Sequence, residues 1–161
     1  MDMVTVQHIE SLDLPELQPY RTLRRPMDHK RQNIFVAEGE KVVCRLIESG
    51  LTIISILMTP EWYSTLCANR YLKTDNADPS RPLNHDPMAV HGPSKVFLAD
   101  KSLLESIVGY NLHQGIMAVG TVPAERSLTD ILAGAAMPYF VVALDGLVNA
   151  ENVGLVVRNC A

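Results

Sequence analysis

The stretch Ile34–Ala68, IFVAEGEKVVCRLIESGLTIISILMTPEWYSTLCA, decides the fold. Its first part, Ile34 to Gly39, is short and apolar and reads as a strand ending at glycine. From Glu40 to Ser49, Val42, Val43, Leu46 and Ile47 recur at the spacing of one helical face, and Gly50 supplies the C-terminal stop. Ile53 to Met58 is again a strand, rich in β-branched residues, and Pro60 with Glu61 opens a helix that runs to Ala68. Strand, helix, strand, helix is the signature of helices layered on a sheet.

Working outward, Asn69 to Gly92 is dense in Asp, Asn and Pro and reads as a surface loop. Lys95 to Leu98 is a short strand. Asp100 then caps a helix with Leu103, Leu104, Ile107 and Val108 on its buried side, and Gly115 to Val122 closes the unit as a last strand. Upstream, Pro15 to Arg25 reads as a short helix with Leu17, Tyr20 and Leu23 at helical spacing, stopped by Pro26. Residues 21–122 thus alternate four strands with three helices, which predicts one α/β domain with a partly parallel sheet. The expected division is an acidic N-terminal segment 1–20, a domain 21–123, and the beginning of a second domain over 124–161.

That second part opens with a linker, Pro123 to Arg126, and a capping box formed by Ser127 and Asp130 ahead of a helix Leu128 to Ala133. An apolar strand, Tyr139 to Leu144, leads through the turn DGLVNAE into a helix NVGLVVRNCA that reaches the last residue. One strand and two helices cannot enclose a core, because a buried strand needs neighbours on both edges and both faces. The domain is therefore expected to be incomplete within this chain.

With 161 residues, 47% apolar and 20% charged, the composition is that of a globular protein and excludes a disordered or fibrous one. No apolar run approaches the roughly 18 residues a membrane-spanning helix needs. The first twenty residues hold no Lys or Arg and no apolar core, so no secretory signal or mitochondrial presequence is visible, and a cytoplasmic location is expected. Cys44, Cys67 and Cys160 form no CxxC pair, and the five histidines are scattered, so no metal site is expected and the cysteines read as reduced thiols.

Net charge is −4, but residues 1–20 carry four acids and no bases, whereas residues 21–31 carry five bases and one acid. Arg21, Arg24, Arg25, Lys30 and Arg31 are an electrostatic footprint suited to a phosphate backbone, and arginine's planar fork favours bidentate phosphate contacts. The same run also reads as a solvated helix face, and charge alone does not decide between the two.

The segment FVVALDGLVNAENVGLVVRNCA, residues 140–161, carries the chemistry. A hydrophobic strand leads into a loop with Asp145 and Asn149. Asn152 then stands at the helix start, Gly154 in its first turn and Arg158 one turn later. Gly154 and Arg158, at i and i+4, share a face, so Arg158 can reach across the surface that glycine leaves open. A simple helix cap at Asn152 and a surface arginine are the plain alternative. No G-x-G-x-x-G, Walker loop or G-x-S-x-G elbow is present, so dinucleotide and nucleophilic hydrolase chemistry have no support.

The run N-x-G-x-x-x-R, here Asn152, Gly154 and Arg158, resembles the first motif of the SpoU (TrmH-like) RNA ribose 2′-O-methyltransferases of the SPOUT knotted superfamily. The upstream segments FVAEGEKVV, with Glu38 and Gly39 as motif residues, and HQGIMAVGTVP (His113 to Pro123) are similar to the substrate-binding domain of that family. The resemblance implies an N-terminal domain folded like kink-turn-binding ribosomal proteins, followed by the start of an α/β-knot domain. It implies RNA, either tRNA or rRNA, as partner, S-adenosylmethionine as methyl donor, and a homodimer. It assigns Arg158 to the catalytic site, binding RNA phosphate and helping to activate the ribose 2′-hydroxyl, with Asn152 shaping the same pocket. Since arginine stays protonated, its implied role is orientation and electrostatic stabilisation rather than proton abstraction.

Two departures stand out. Asn149-Ala150-Glu151-Asn152 occupies the place of the family's D-P-x-N, so the proline-stiffened turn is missing. The later two motifs, which form the knot, bind S-adenosylmethionine and contribute to the dimer interface, do not occur before Ala161, so the chain is expected to be the first part of such an enzyme, lacking the cofactor site and inactive alone. The competing readings are a non-catalytic RNA-binding module of the kink-turn or ribosomal type, and an α/β scaffold without an RNA role.

Overall fold

The structure, a computed structural model, describes residues 4–23, 25–69, 71, 95–108, 115–135 and 137–160. Arg24, the greater part of the loop expected at Asn69 to Gly92, and His113 with Gln114 lie outside the described residues. Two compact units divide the chain, Met1–Pro123 and Ala124–Ala161.

The first unit begins with β1 (Thr5–His8), a 3₁₀ turn (Pro15–Leu17), α1 (Gln18–Arg21) and α2 (Pro26–Gln32). There follow β2 (Ile34–Glu38), α3 (Glu40–Glu48), β3 (Ile53–Met58), α4 (Pro60–Ala68), β4 (Lys95–Leu98), α5 (Lys101–Val108) and β5 (Ile116–Thr121). The five strands form one sheet in the order β1-β4-β3-β5-β2. β4 runs parallel to both β1 and β3, while β5 runs antiparallel to β3 and β2. The mixed α/β architecture is the one expected.

Three local expectations are corrected. The sheet has a fifth strand, β1, within the stretch read only as acidic. Four residues long and exposed on both faces, it shows no alternation, and its place comes from backbone pairing with β4. Pro26 does not merely stop a helix but starts one. The chain turns at Thr22, whose carbonyl accepts from the Arg25 N–H at 2.7 Å, and proline then fits the first position of α2, where no N–H is needed. Val42, placed on the buried stripe of α3, is 54% exposed, so Val43, Leu46 and Ile47, with half-buried Cys44 beside them, carry that helix onto the sheet.

Burial on both faces explains the continuous apolar runs of the central strands. Ile56 and Met58 of β3, Val96 and Leu98 of β4, and Ile116 and Ala118 of β5 pack with α3 and Leu66 of α4. The intervening Leu57, Phe97, Met117 and Val119 face the other way, against Leu17, Tyr20 and Leu104. Leu17 and Tyr20 belong to the N-terminal segment, so residues before 21 complete one of the two core layers.

Tyr20 is fully buried and its hydroxyl lies 2.9 Å from Ser55 Oγ. Burial pushes this phenol well above its ordinary value near 10, with the Ser55 hydrogen bond opposing only in part. The unfolded chain therefore loses that proton first, so stability is intact below about pH 10 and declines above it, by up to about 1.4 kcal/mol per pH unit. Urea titrations of wild type and Tyr20→Phe between neutral and alkaline pH should show the wild type falling faster above that point. Parallel curves would sink the expectation.

The described parts of the segments FVAEGEKVV and HQGIMAVGTVP meet through β2 and β5. β2 pairs with β5 from Ile34↔Thr121 to Glu38↔Met117, setting Phe35 opposite Gly120. A Cβ on Gly120 would fall 2.6 Å from Phe35 Cζ, so glycine is what lets the ring lie over the strand. Glu38, exposed, ends β2, and Gly39 turns the chain into α3 at φ 89°, a conformation that suits only glycine comfortably. Its N–H donates to Ile116 O at 3.0 Å, tying the turn to β5.

The second unit contains α6 (Leu128–Ala133) and α7 (Ala150–Cys160). Ser127 caps α6 as expected: its Oγ accepts from the Asp130 N–H at 3.1 Å and donates to the Asp130 carboxylate at 2.6 Å. The strand expected at Tyr139 to Leu144 is not formed. These residues pair with no strand among the described residues and stand exposed, Phe140 at 97%. The reason is the one that limited the core: the unit offers no neighbouring strand to satisfy the backbone. Among the described residues none of this unit is buried.

Candidate functional site

The first unit presents a basic ridge. Arg21 ends α1, Arg25 immediately precedes α2, and Lys30 and Arg31 occupy the last turn of α2. Cations in that turn complement the negative end of the helix dipole, so the sequence that charges the surface also favours the helix. All four side chains are exposed. Arg21 Nη1 donates to Leu12 O at 3.5 Å and lies 3.9 Å from Asp13 Oδ1. Arg31 Nη1 lies 4.0 Å from Asp28 Oδ1. Pairs so exposed are worth at most about 1 kcal/mol, and a phosphate can displace them. Arg25 and Lys30 have no ion pair with any described residue. Arg24, the fifth base, lies outside the described residues.

Behind the ridge sits His29, 8% exposed. Its Nε2 is 3.0 Å from Thr22 Oγ1 and 3.1 Å from Pro19 O. Nothing in the sequence near His29 marks it, because its partners come from α1 and the turn after it.

The second candidate surface is α7 and the loop before it. Asn149 caps the helix: its Oδ1 accepts from the N–H groups of Glu151 at 2.7 Å and Asn152 at 3.4 Å. Its carbonyl accepts from the Val153 N–H at 3.2 Å. The helix start expected at Asn152 is corrected: α7 begins at Ala150, and Asn149 is its cap. Asn149 and Ala150 stand where the resemblant pattern has Asp and Pro. Asn caps as well as Asp, and Ala is well suited to a helical position, so the local geometry survives both departures.

Arg158 folds back over Gly154, its Nη1 4.0 Å from where a Cβ on that glycine would be. Helical side chains lean toward the N-terminus, which carries the guanidinium one turn back toward the loop. Arg158 is exposed and has no ion pair with any described residue. Asn152 is exposed as well, but at 100° per residue it lies about 200° around the helix from Gly154. The structure joins Gly154 and Arg158 and does not bring the Asn152 side chain to them.

Cys44 and Cys67 are half-buried, and burial pushes both thiols up, with Glu40 and Glu48 adding to the effect at Cys44. Both are poor nucleophiles. Among the described residues no helix is long and apolar enough to cross a membrane.

No protein-family model matches the chain. In sequence it is similar to a protein of Mycobacterium tuberculosis named an uncharacterized tRNA/rRNA methyltransferase, 28% identical over 99% of this chain and 49% of that protein. It therefore spans about half the length of the curated relatives it matches. Among solved structures, a crystal structure of an RNA 2′-O ribose methyltransferase is similar over 97% of this chain and 50% of its own, with a TM-score of 0.53 and 18% identity. An AdoMet-bound rRNA methyltransferase from Sinorhizobium meliloti matches over 74% of this chain and 38% of its own, with a TM-score of 0.49 and 17% identity. The motif resemblance to RNA methyltransferases thus extends to relatives aligned along nearly the whole chain, and the fold is one that an RNA methyltransferase uses.

Proposed function

We propose that this chain is the RNA-holding and motif-bearing part of an S-adenosylmethionine-dependent RNA ribose 2′-O-methyltransferase of the SpoU type. The observation that carries this reading is the Gly154–Arg158 pair: an exposed guanidinium, without an acidic partner among the described residues, held across a glycine face. Such a group is ready to take a phosphate in a bidentate contact. The relatives named tRNA/rRNA methyltransferases support the substrate class.

In this reading the first unit, with a fold of the kink-turn-binding kind, grips tRNA or rRNA through Arg21, Arg25, Lys30 and Arg31, sequence-independent contacts that place the RNA by its shape. Arg158 holds a phosphate beside the target nucleotide, aligns the ribose 2′-hydroxyl and stabilises negative charge developing on that oxygen. Asn149 fixes the start of α7 and so the position of both motif residues.

S-adenosylmethionine supplies an already electrophilic methyl group when bound. Residues 139–149 are all exposed, so their side chains do not by themselves form the buried site that cofactor needs. We assign its site, and a homodimer interface, to the part of the relatives' length that this chain does not span.

The test is transfer of labelled methyl from S-adenosylmethionine to tRNA and rRNA transcripts, by a protein that extends this chain to its relatives' length. Methylation at the 2′-oxygen removes the nucleophile of alkaline cleavage, so one linkage should become resistant to base. Label on a nucleobase, or no transfer to either RNA, would sink the reading.

A further inference from the structure

α2 is a seven-residue helix, too short to be stable alone, since isolated helices below roughly 12 residues are marginal in water. It carries Lys30 and Arg31, and Arg25 directly precedes it. Its only buried side chain is His29. The element that presents most of the ridge thus has one buried tie, an imidazole that bonds backward to the segment carrying Arg21, beside an exposed 3.5 Å bond from Gln32 Nε2 to Gln18 Oε1.

The partners define the proton. The Pro19 carbonyl can only accept, so Nε2 donates to it at 3.1 Å. Thr22 Oγ1 donates to Gln18 O at 3.0 Å and so offers its lone pair to the same Nε2–H, 3.0 Å away. Thr22 is itself buried, 9% exposed, so water does not compete freely for this bond. A purely apolar residue would leave the Pro19 carbonyl without this donor.

We propose that His29 is a positioning residue for RNA: its Nε2–H, shared between Pro19 O and Thr22 Oγ1, clamps the two halves of the basic segment into a single phosphate-binding array. The inference rests on the RNA-binding part of the proposed function. His29 touches no phosphate. It sets Arg25, Lys30 and Arg31 in fixed relation to Arg21, so that the array meets several phosphates at once instead of offering separate mobile charges.

The test uses the full chain and a fluorescein-labelled RNA hairpin of mixed sequence, with binding measured by anisotropy across a range of salt. His29→Ala should weaken binding about tenfold and make the salt dependence shallower by about one to two phosphate contacts. His29→Gln, whose amide places an N–H where Nε2 stands, should stay within about twofold of wild type. Thr22→Val, which keeps the shape and removes the acceptor, should weaken binding in the same direction, and it carries the test if His29→Ala does not fold. Wild-type binding with unchanged affinity and salt slope in His29→Ala overturns the inference alone. So does a His29→Gln variant as weak as the alanine, or an affinity loss with unchanged slope that merely follows a lower unfolding midpoint. Absence of salt-dependent binding by the wild type overturns the RNA-binding reading and the inference together.

Discussion

Arg158→Ala, made in a protein of the relatives' length, is expected to lower the rate of methyl transfer by about a hundred- to a thousandfold, the range seen when one preorganised donor to a developing oxyanion is removed. Affinity for RNA should change by only a few fold, because the proposed function gives the sequence-independent contacts to the ridge on the first unit. The reason lies in the geometry of α7. The guanidinium is held one turn back over Gly154, and alanine leaves that face bare. Arg158→Lys should recover a small part of the rate, since an ammonium restores the charge but not the two-pronged contact. Single-turnover transfer and anisotropy on the same RNA separate the two quantities. Loss of binding and transfer in equal measure would show that Arg158 holds RNA without a role in the reaction.

The second large effect concerns stability. Gly120→Val should cost about 1–3 kcal/mol, the usual range for overpacking. A Cβ there would stand 2.6 Å from Phe35 Cζ and 2.9 Å from Cε1, far inside contact distance. The ring cannot simply swing away, because Phe35 also packs against the core layer beneath α3 and α4. The strain therefore falls on the β2–β5 pairing, out of a total stability of about 5–15 kcal/mol for a domain of this kind. Phe35→Leu in the same chain should recover part of the loss, since residues in contact couple and distant ones do not. Urea unfolding of the two single variants and the double variant measures this. A loss below about 0.5 kcal/mol for Gly120→Val, or strict additivity with Phe35→Leu, would refute the close-approach argument.

The candidate site was only partly legible. Gly154 and Arg158 could be paired from spacing alone, because a helix puts i and i+4 on one face whatever surrounds it. Asn152 was placed at the helix start, although Asn149 is the residue whose side chain accepts the first N–H groups. Both asparagines suit a cap equally by residue type, and only the actual φ/ψ path of the loop chooses between them. The basic ridge was legible as charge, but its anchor was not. His29 finds its partners at Thr22 and Pro19, across a turn that local pattern did not reveal.

What the sequence by itself determined are the features encoded within a few neighbouring residues. β-Branched content placed β3 and the Pro60–Glu61 start placed α4 to the residue, the Ser127–Asp130 box opened α6, and charge bunched at residues 21–31. Tertiary structure alone decided the features whose energy comes from distant partners. β1 is a strand because Lys95–Leu98 lies beside it, not because TVQH alternates. Pro26 stands at the start of a helix whose buried residue, His29, finds its partners at Pro19 and Thr22 of the preceding segment. Tyr139 to Leu144 has strand composition but forms no strand, because a ladder is a property of two segments and its second is not among the described residues of this chain.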